Sequence, residues 1–316
     1  MGDPLRIGIS TCLLGERVRY DGGHKRDPFL VDTLGQYVEW VPVCPEVEAG
    51  FGVPREAFRL VGDADTPRLI TSKTHQDFTE KMKTWARKRV RELEREDLSG
   101  FVFKSKSPSS GMERVKVYDM NGVPRKQGVG LFARAFMDHF PRVPVEEEGR
   151  LHDPKLRENF IEQIFTLKRW REVLNGPRKR GGLVAFHTRQ KLLILSHSQK
   201  HYRLMGKLVA SGKDRKTNQL FDQYEGLLME ALRLKTTVKK NINVLQHILG
   251  YFKQQLTGDE KQEVLELIDA YRSGYLPLIV PITLLNHFVR KYDQPYLKQQ
   301  TFLNPHPLSL KLRNHA

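Results

Sequence analysis

The sequence predicts an α/β parallel-sheet, Rossmann-like N-terminal domain followed by a mainly α-helical C-terminal domain. Three observations predict it. Short apolar runs alternate with helix-like stretches over roughly the first 150 residues, the pattern of a mainly parallel sheet. Beyond about residue 183 the helical period prevails. The charge divides at the same place: residues 1–150 hold 25 Lys and Arg against 23 Asp and Glu, whereas residues 151–316 hold 28 against 14. A chain of 316 residues is long enough for two domains with separate cores. The expected division is residues 1–150, a helix with a basic linker at 151–182, and a helical domain at 183–316.

The elements follow in order. LRIGIS at 5–10, residues 38–43 and FVF at 101–103 read as buried strands, with VKVY at 115–118 as a fourth. A short helix is expected from Pro28. A longer one has Thr74 as N-cap, Asp77 in its first turn and Phe78, Met82, Trp85, Val90 and Leu93 as its buried stripe, with Gly100 ending the element. Residues 141–153 read as the domain exit, and Asp153 and Pro154 open a helix carrying Leu156, Phe160, Ile164, Phe165 and Leu167. The basic linker NGPRKRGG occupies 175–182. Leu192, Leu195, Tyr202, Met205 and Val209 recur at helical spacing, and Asn241 to Leu256 is a further helix. Thr257 and Glu260 form a capping box before Val264, Leu265 and Ile268.

Composition excludes several classes. The longest apolar stretch, LPLIVPITLL, is too short and too proline-broken to span a bilayer. The opening MGDPLRIGIS has no basic and long apolar leader, so the cytoplasm is the expected compartment. There, two cysteines are free thiols or metal ligands before they are a disulfide. The basic second half is what a phosphate-backbone partner demands, set against a merely well-solvated basic surface. No obligatory protein partner is evident.

In parallel sheets ligands sit outside the carboxyl ends of the strands, and Cys12, Cys44 and the loop KSPSSG all fall at such ends. A lone cysteine there is more often a small buried hydrophobe than a ligand. His24, Lys25 and Arg26 lie in a turn beside Cys12, suited to a nucleotide phosphate or ribose or simply exposed. Arg178, Lys179 and Arg180 are the candidate RNA contacts of the basic linker. His197 and His201 stand four apart on a predicted helix, a spacing that can chelate zinc, but no thiol or carboxylate motif completes the set. Tyr202 and Tyr251 are candidates for stacking on RNA bases, though core packing fits their spacing first.

CLLGxxVRYDG, VPVCPExxxGxxVPRE and KSPSSG, followed by VYD, GVG and FARAF, occur in that order over roughly residues 5–148. In these motifs the chain resembles the thiouracil desulfidase family of iron–sulfur enzymes. Residues about 183–312, with FHTRQKLLILSH, YRLMGKLVA, NVLQHILGYFK and GYLPLIVPITLLNH, are similar to a helical domain often fused to it. The fused form resembles bacterial tRNA 4-thiouridine desulfidases, so the implied partner is tRNA and the implied products are uridine and hydrogen sulfide. The resemblance implies a [4Fe–4S] cluster with three protein ligands and one open iron, at positions held here by Cys12, Cys44 and Ser110. It assigns proton transfer to Glu46, and to Ser107 a hydrogen bond to the pyrimidine or a place in a proton relay.

Ser110 departs from the family, which usually reads SPSCG. A thiol of pKa ~8.5 is readily deprotonated by a metal, whereas an alcohol is a hard and reluctant ligand for a soft cluster. The preferred explanation is a deliberate Cys-to-Ser exchange giving an inactive or cluster-free form, with natural loss of activity second. The alternatives are a non-catalytic RNA-binding protein with a degenerate cluster site, and a desulfidase of free thiolated uracil or uridine nucleotides.

Overall fold

The computed structural model describes residues 4–212 and 215–314. They form two compact units, Met1–Asp153 and Pro154–Ala316. In the first unit the elements run β1 (Arg6–Ser10), β2 (Glu39–Val43), α1 (Pro45–Glu48), β3 (Phe58–Val61), β4 (Arg68–Thr71), α2 (Thr79–Leu93), β5 (Gly100–Phe103), β6 (Val115–Tyr118), β7 (Pro124–Gly128), α3 (Leu131–His139) and β8 (Val145–Glu147).

Strands β2-β1-β5-β8 make one sheet, parallel throughout. The expected fourth strand at 115–118 exists, but it belongs to a second sheet, β4-β3-β6-β7, made of two antiparallel hairpins joined by a parallel β3–β6 pair. Its burial explains the difference: β5 is buried at every residue, whereas Val115 and Val117 are buried and Lys116 is exposed, the alternation of a half-buried hairpin strand. The parallel sheet takes its fourth strand from 145–147, inside the stretch expected to be the domain exit. Phe101, Phe103, Phe132 and Phe136 pack β5 against α3, with Phe101 and Phe103 stacked at 4.3 Å between ring centres.

Local structure corrects three further expectations. The predicted helix from Pro28 is a single π-helical turn at Phe29–Thr33 followed by a 3-10 turn, with Asp27 accepting a hydrogen bond from the Leu30 amide at 3.0 Å. Thr74 does not cap a helix; it lies in a turn, its hydroxyl 2.7 Å from that of Thr71 and donating to Glu56 at 2.8 Å. The helix begins five residues later, where Asp77 accepts from the Thr79 amide at 2.9 Å. Gly100 opens β5 instead of closing the helix, which has already ended before left-handed Asp97.

The second unit runs α4 (Pro154–Asn175), α5 (Arg180–His197), α6 (Gln199–Ala210), α7 (Thr217–Arg233), α8 (Val238–Gly250), α9 (Gly258–Arg272), α10 (Ile279–Lys291) and α11 (Pro295–Lys298). The basic linker is shorter than expected because Arg180 already starts α5. The helix expected from Asn241 to Leu256 starts three residues earlier, at Val238, and gives way to turns after Gly250. The capping box at Thr257 and Glu260 is present, with both reciprocal bonds. Trp170, Phe186, Phe221 and Tyr224 cluster in the core, and buried Arg313 ties the C-terminal segment to α4 through Glu158 at 3.1 Å and Glu162 at 2.9 Å. No described helix is long and apolar enough to cross a membrane.

His187 gives this unit a pH signature. Its Nδ1 lies 3.1 Å from the Tyr224 hydroxyl, and burial, reinforced by Lys191, pushes it down from 6.5 to about 4. Between those values the unfolded chain takes up a proton that the folded chain refuses, so this stability is complete above pH 6.5 and lost as pH falls toward 4. At about 1.4 kcal/mol per pH unit the loss reaches roughly 3 kcal/mol. Urea unfolding at pH 7 and pH 4.5 should therefore show a smaller acid-induced fall for His187→Gln than for the unaltered chain. An equal fall in both would contradict the assignment.

Candidate functional site

From β1 the chain moves to β2 on one side and later to β5 on the other, so β1 marks the point where the strand order reverses and a crevice opens at the carboxyl ends. Ser10, the last residue of β1, pairs with Val43, the last of β2, which sets Cys12 and Cys44 at neighbouring strand ends. The Ser10 hydroxyl accepts from the Lys104 amide at 2.9 Å and draws the segment after β5 to the same edge. The result is a cavity of about 380 Å³ walled by Cys12, Cys44, Glu46, Arg55, Ser107 and Ser110, among others.

One side of this cavity is a hydrogen-bonded chain of hydroxyls ending on a carboxylate. Ser109 Oγ donates to Glu46 Oε1 at 2.8 Å, and Ser107 Oγ lies 3.0 Å from Ser109 Oγ. Because the Ser109 proton is committed to the carboxylate, Ser107 is the donor in the second contact. Ser107 Oγ also accepts from the amides of Ser109 at 3.3 Å and Ser110 at 3.1 Å, so it closes the turn as well. Arg55 grips Glu46 Oε2 through Nε at 3.0 Å and through Nη2. Its Nη1 reaches the carbonyls of Val18 at 3.2 Å and Gly52 at 2.8 Å, which clamps the Cys12 loop to the Cys44 loop.

The serine loop is held from outside by backbone and by acid. The amides of Gly130, Leu131 and Phe132 donate to the carbonyls of Gly111, Pro108 and Ser109 at 2.8, 3.2 and 2.9 Å. The start of α3, which no side chain caps, is thereby capped by the loop itself. A Cβ at Gly130 would fall 2.5 Å from the Ser109 carbonyl carbon, so only glycine permits this approach. Glu148 accepts from the Ser105 amide at 2.7 Å and pairs with Lys104, and Glu147 accepts from the Met112 amide at 2.9 Å.

Burial pushes the Cys12 thiol up to about 11 and raises that of Cys44, so both are protonated near neutral pH until a metal displaces the protons. The chemistry of the donor set is uneven. Two thiols facing one cavity fit a soft metal or iron–sulfur centre, but the third position offers only the hydroxyl of buried Ser110. Three thiolates are not supplied.

Of the residues singled out from sequence, Cys12, Cys44, Ser110, Glu46, Ser107 and Lys25 meet at this cavity. His24 and Arg26 are exposed on the same loop but do not line it; Arg26 pairs with Asp32 at 2.5 Å. Arg178 and Lys179 are exposed in the helical unit, and Arg180 donates to the Arg215 carbonyl at 3.1 Å. The zinc spacing at His197 and His201 dissolves, because the helix breaks at Ser198, which caps α6. Buried His197 instead meets Glu162 at 3.0 Å and the Leu234 carbonyl at 2.7 Å. Sequence reasoning missed Arg55, Ser109 and the acidic braces Glu147 and Glu148. Arg55 stands inside the VPRE motif, and in the sequence the acidic run reads only as a domain exit.

Residues 7–148 match the family profile of 2-thiouracil desulfurase, and residues 191–307 match DUF1722, a protein family of unknown function. The chain is 31% identical over 153 residues to the uncharacterized protein YbgA of Escherichia coli (strain K12), covering 48% of this chain and 90% of YbgA. It is 30% identical over 111 residues to the uncharacterized protein YbbK of Bacillus subtilis (strain 168), covering 33% and 72% respectively. Among solved structures it is similar to the [4Fe-4S]-dependent thiouracil desulfidase TudS (DUF523Vcz), at 26% identity and a TM-score of 0.39 over 47% of this chain and 93% of the other. With the motifs of residues 7–148 gathered at one cavity and a DUF1722 region following them, the chain belongs to the 2-thiouracil desulfurase family.

Proposed function

We propose that this chain acts on tRNA, exchanging the sulfur of 4-thiouridine for the oxygen of water and releasing uridine and hydrogen sulfide. The observation that carries the proposal is the convergence of two thiols and a carboxylate–hydroxyl relay on one cavity. In this reading Cys12 and Cys44 would hold a [4Fe–4S] cluster, with Ser110 as a weak third ligand. When bound, such a cluster with one open iron supplies a Lewis acid for the soft thiocarbonyl sulfur.

The reaction balances without oxidant or reductant. The C=S double bond is broken and a C=O double bond takes its place, and both protons of water leave with sulfur as hydrogen sulfide. Glu46 takes a proton from the attacking water and returns it to the departing sulfur, and Arg55 fixes the carboxylate's orientation. Ser109 and Ser107 extend this path across the loop. The basic helical half supports RNA as the carrier of the base, since 28 Lys and Arg stand against 14 Asp and Glu in residues 151–316. Exposing a base from the stack costs a few kcal/mol, roughly, which phosphate contacts offset. A desulfidase of free nucleotides would leave that half without a role. Ser110 favours one second reading, an RNA-binding protein whose cluster site has degenerated.

Ser110→Cys, reconstituted anaerobically with iron and sulfide, should hold about four irons per chain and convert 4-thiouridine in tRNA to uridine, while the unaltered chain does both markedly less well. A cysteine variant that stays colourless and inactive would leave the RNA-binding reading as the better one. In that cysteine background, Glu46→Ala should lower turnover by about 100-fold or more with iron content unchanged, and lost iron would make Glu46 structural instead. Reversing the charge at Arg178, Lys179 and Arg180 should weaken tRNA binding and flatten its salt dependence by about three phosphates' worth. Unchanged affinity would move the RNA surface elsewhere on the helical unit.

A further inference from the structure

The first unit is close to charge balance, with 25 Lys and Arg against 23 Asp and Glu in residues 1–150. Many of its cations are spent on its own acids: Arg55 on Glu46, Lys104 on Glu148, Arg89 on Glu48 and Glu92, and Arg150 on Glu146 and Glu113. One side of α2 departs from this. Lys83, Arg87 and Arg91 follow one another at four-residue steps and so share that side. Lys83 has Glu80 at 3.4 Å, but Arg87 meets the Thr84 hydroxyl at 3.3 Å and no acid. Among the described residues Arg91 and, on α3, Arg134 also have no acidic partner; Arg134 donates to the Ala64 carbonyl at 3.1 Å.

These four cations line one groove of about 450 Å³ between α2 and α3. A single lining carboxylate, Asp138, stands against them. At 1.5 Å of rise per residue the three on α2 extend over about 12 Å, so one small anion cannot serve them all and a row of phosphates can. Three of the four are arginines, whose planar fork matches phosphate oxygens. The groove also adjoins the site. Leu131 lines it, the Leu131 amide donates to the Pro108 carbonyl at 3.2 Å, and Pro108 lines the cavity of Cys12 and Cys44. That continuity with a cavity that takes a base favours RNA over an acidic peptide.

We infer that the groove between α2 and α3 is a track for RNA phosphates flanking the nucleotide whose base enters the cavity, with Arg87, Arg91 and Arg134 as its main contacts. This rests on the tRNA reading above and extends RNA contact from the helical unit to the α/β unit. The test measures binding of an unmodified tRNA transcript to the full chain across a salt series. Arg87→Ala/Arg91→Ala should bind about tenfold more weakly, with the salt slope reduced by about two phosphates' worth. Arg87→Lys/Arg91→Lys, which keeps the charge, should keep the slope. Lys88→Ala/Arg95→Ala removes the same charge from exposed residues outside the groove and should bind as the unaltered chain does. Undiminished affinity in the Arg87 and Arg91 alanine pair, an equal loss in the Lys88 and Arg95 pair, or a lost slope in the lysine pair would overturn the track while leaving the tRNA reading in place. Polyglutamate bound as tightly as tRNA, and released by the same alanine pair, would overturn it in favour of an acidic protein. Failure of the unaltered chain to bind tRNA would overturn both.

Discussion

The parallel pairing of β1 with β2 on one side and β5 on the other is the constraint on which the site depends. Parallel strands end on the same edge, so three segments far apart in sequence leave the sheet together. Cys12 follows β1 by two residues, Cys44 follows β2 by one, and the serine loop follows β5. An antiparallel partner in place of either neighbour would send one of these loops to the opposite edge. The single bond from the Lys104 amide to Ser10 then fixes the third segment against the first.

What hangs on that edge is held firmly. Arg55 spans two loops, Glu147 and Glu148 brace the third, and α3 donates its first amides to the loop's carbonyls. Ser110 sits in this frame with its amide bonded to Ser107, so its place is set by backbone and not by its own side chain. An exchange of oxygen for sulfur at that position therefore changes the donor atom and leaves the turn that presents it. The same frame couples the two roles of Ser107, whose hydroxyl closes the turn and also donates toward Glu46 through Ser109.

Much of the first unit was legible because its central strands are short, apolar and buried. The thiols and the serine loop could be placed at strand ends from that pattern alone. Of the second sheet only β6 was legible, since β3 is mostly half-buried and β7 is exposed over its first four residues. Strand β8 was hidden by its composition: Glu146 and Glu147 are buried, as bracing carboxylates and not as part of an apolar run. The break between α5 and α6 left no trace in the hydrophobic period, because apolar residues continue at helical spacing across Ser198. The relay was invisible for a different reason, as Ser109 and Glu46 lie 63 residues apart and only the sheet brings them together.

Cys12 and Cys44 face one common site although they follow separate strands. Cadmium titration of the reduced, metal-free chain tests this directly, because a soft ion reports shared thiolates through sulfur-to-metal charge-transfer absorption. The account predicts one cadmium ion per chain, with proton release on binding and with the absorption lost in either Cys12→Ala or Cys44→Ala. Two independent weak sites, or a band that survives loss of one cysteine, would contradict it.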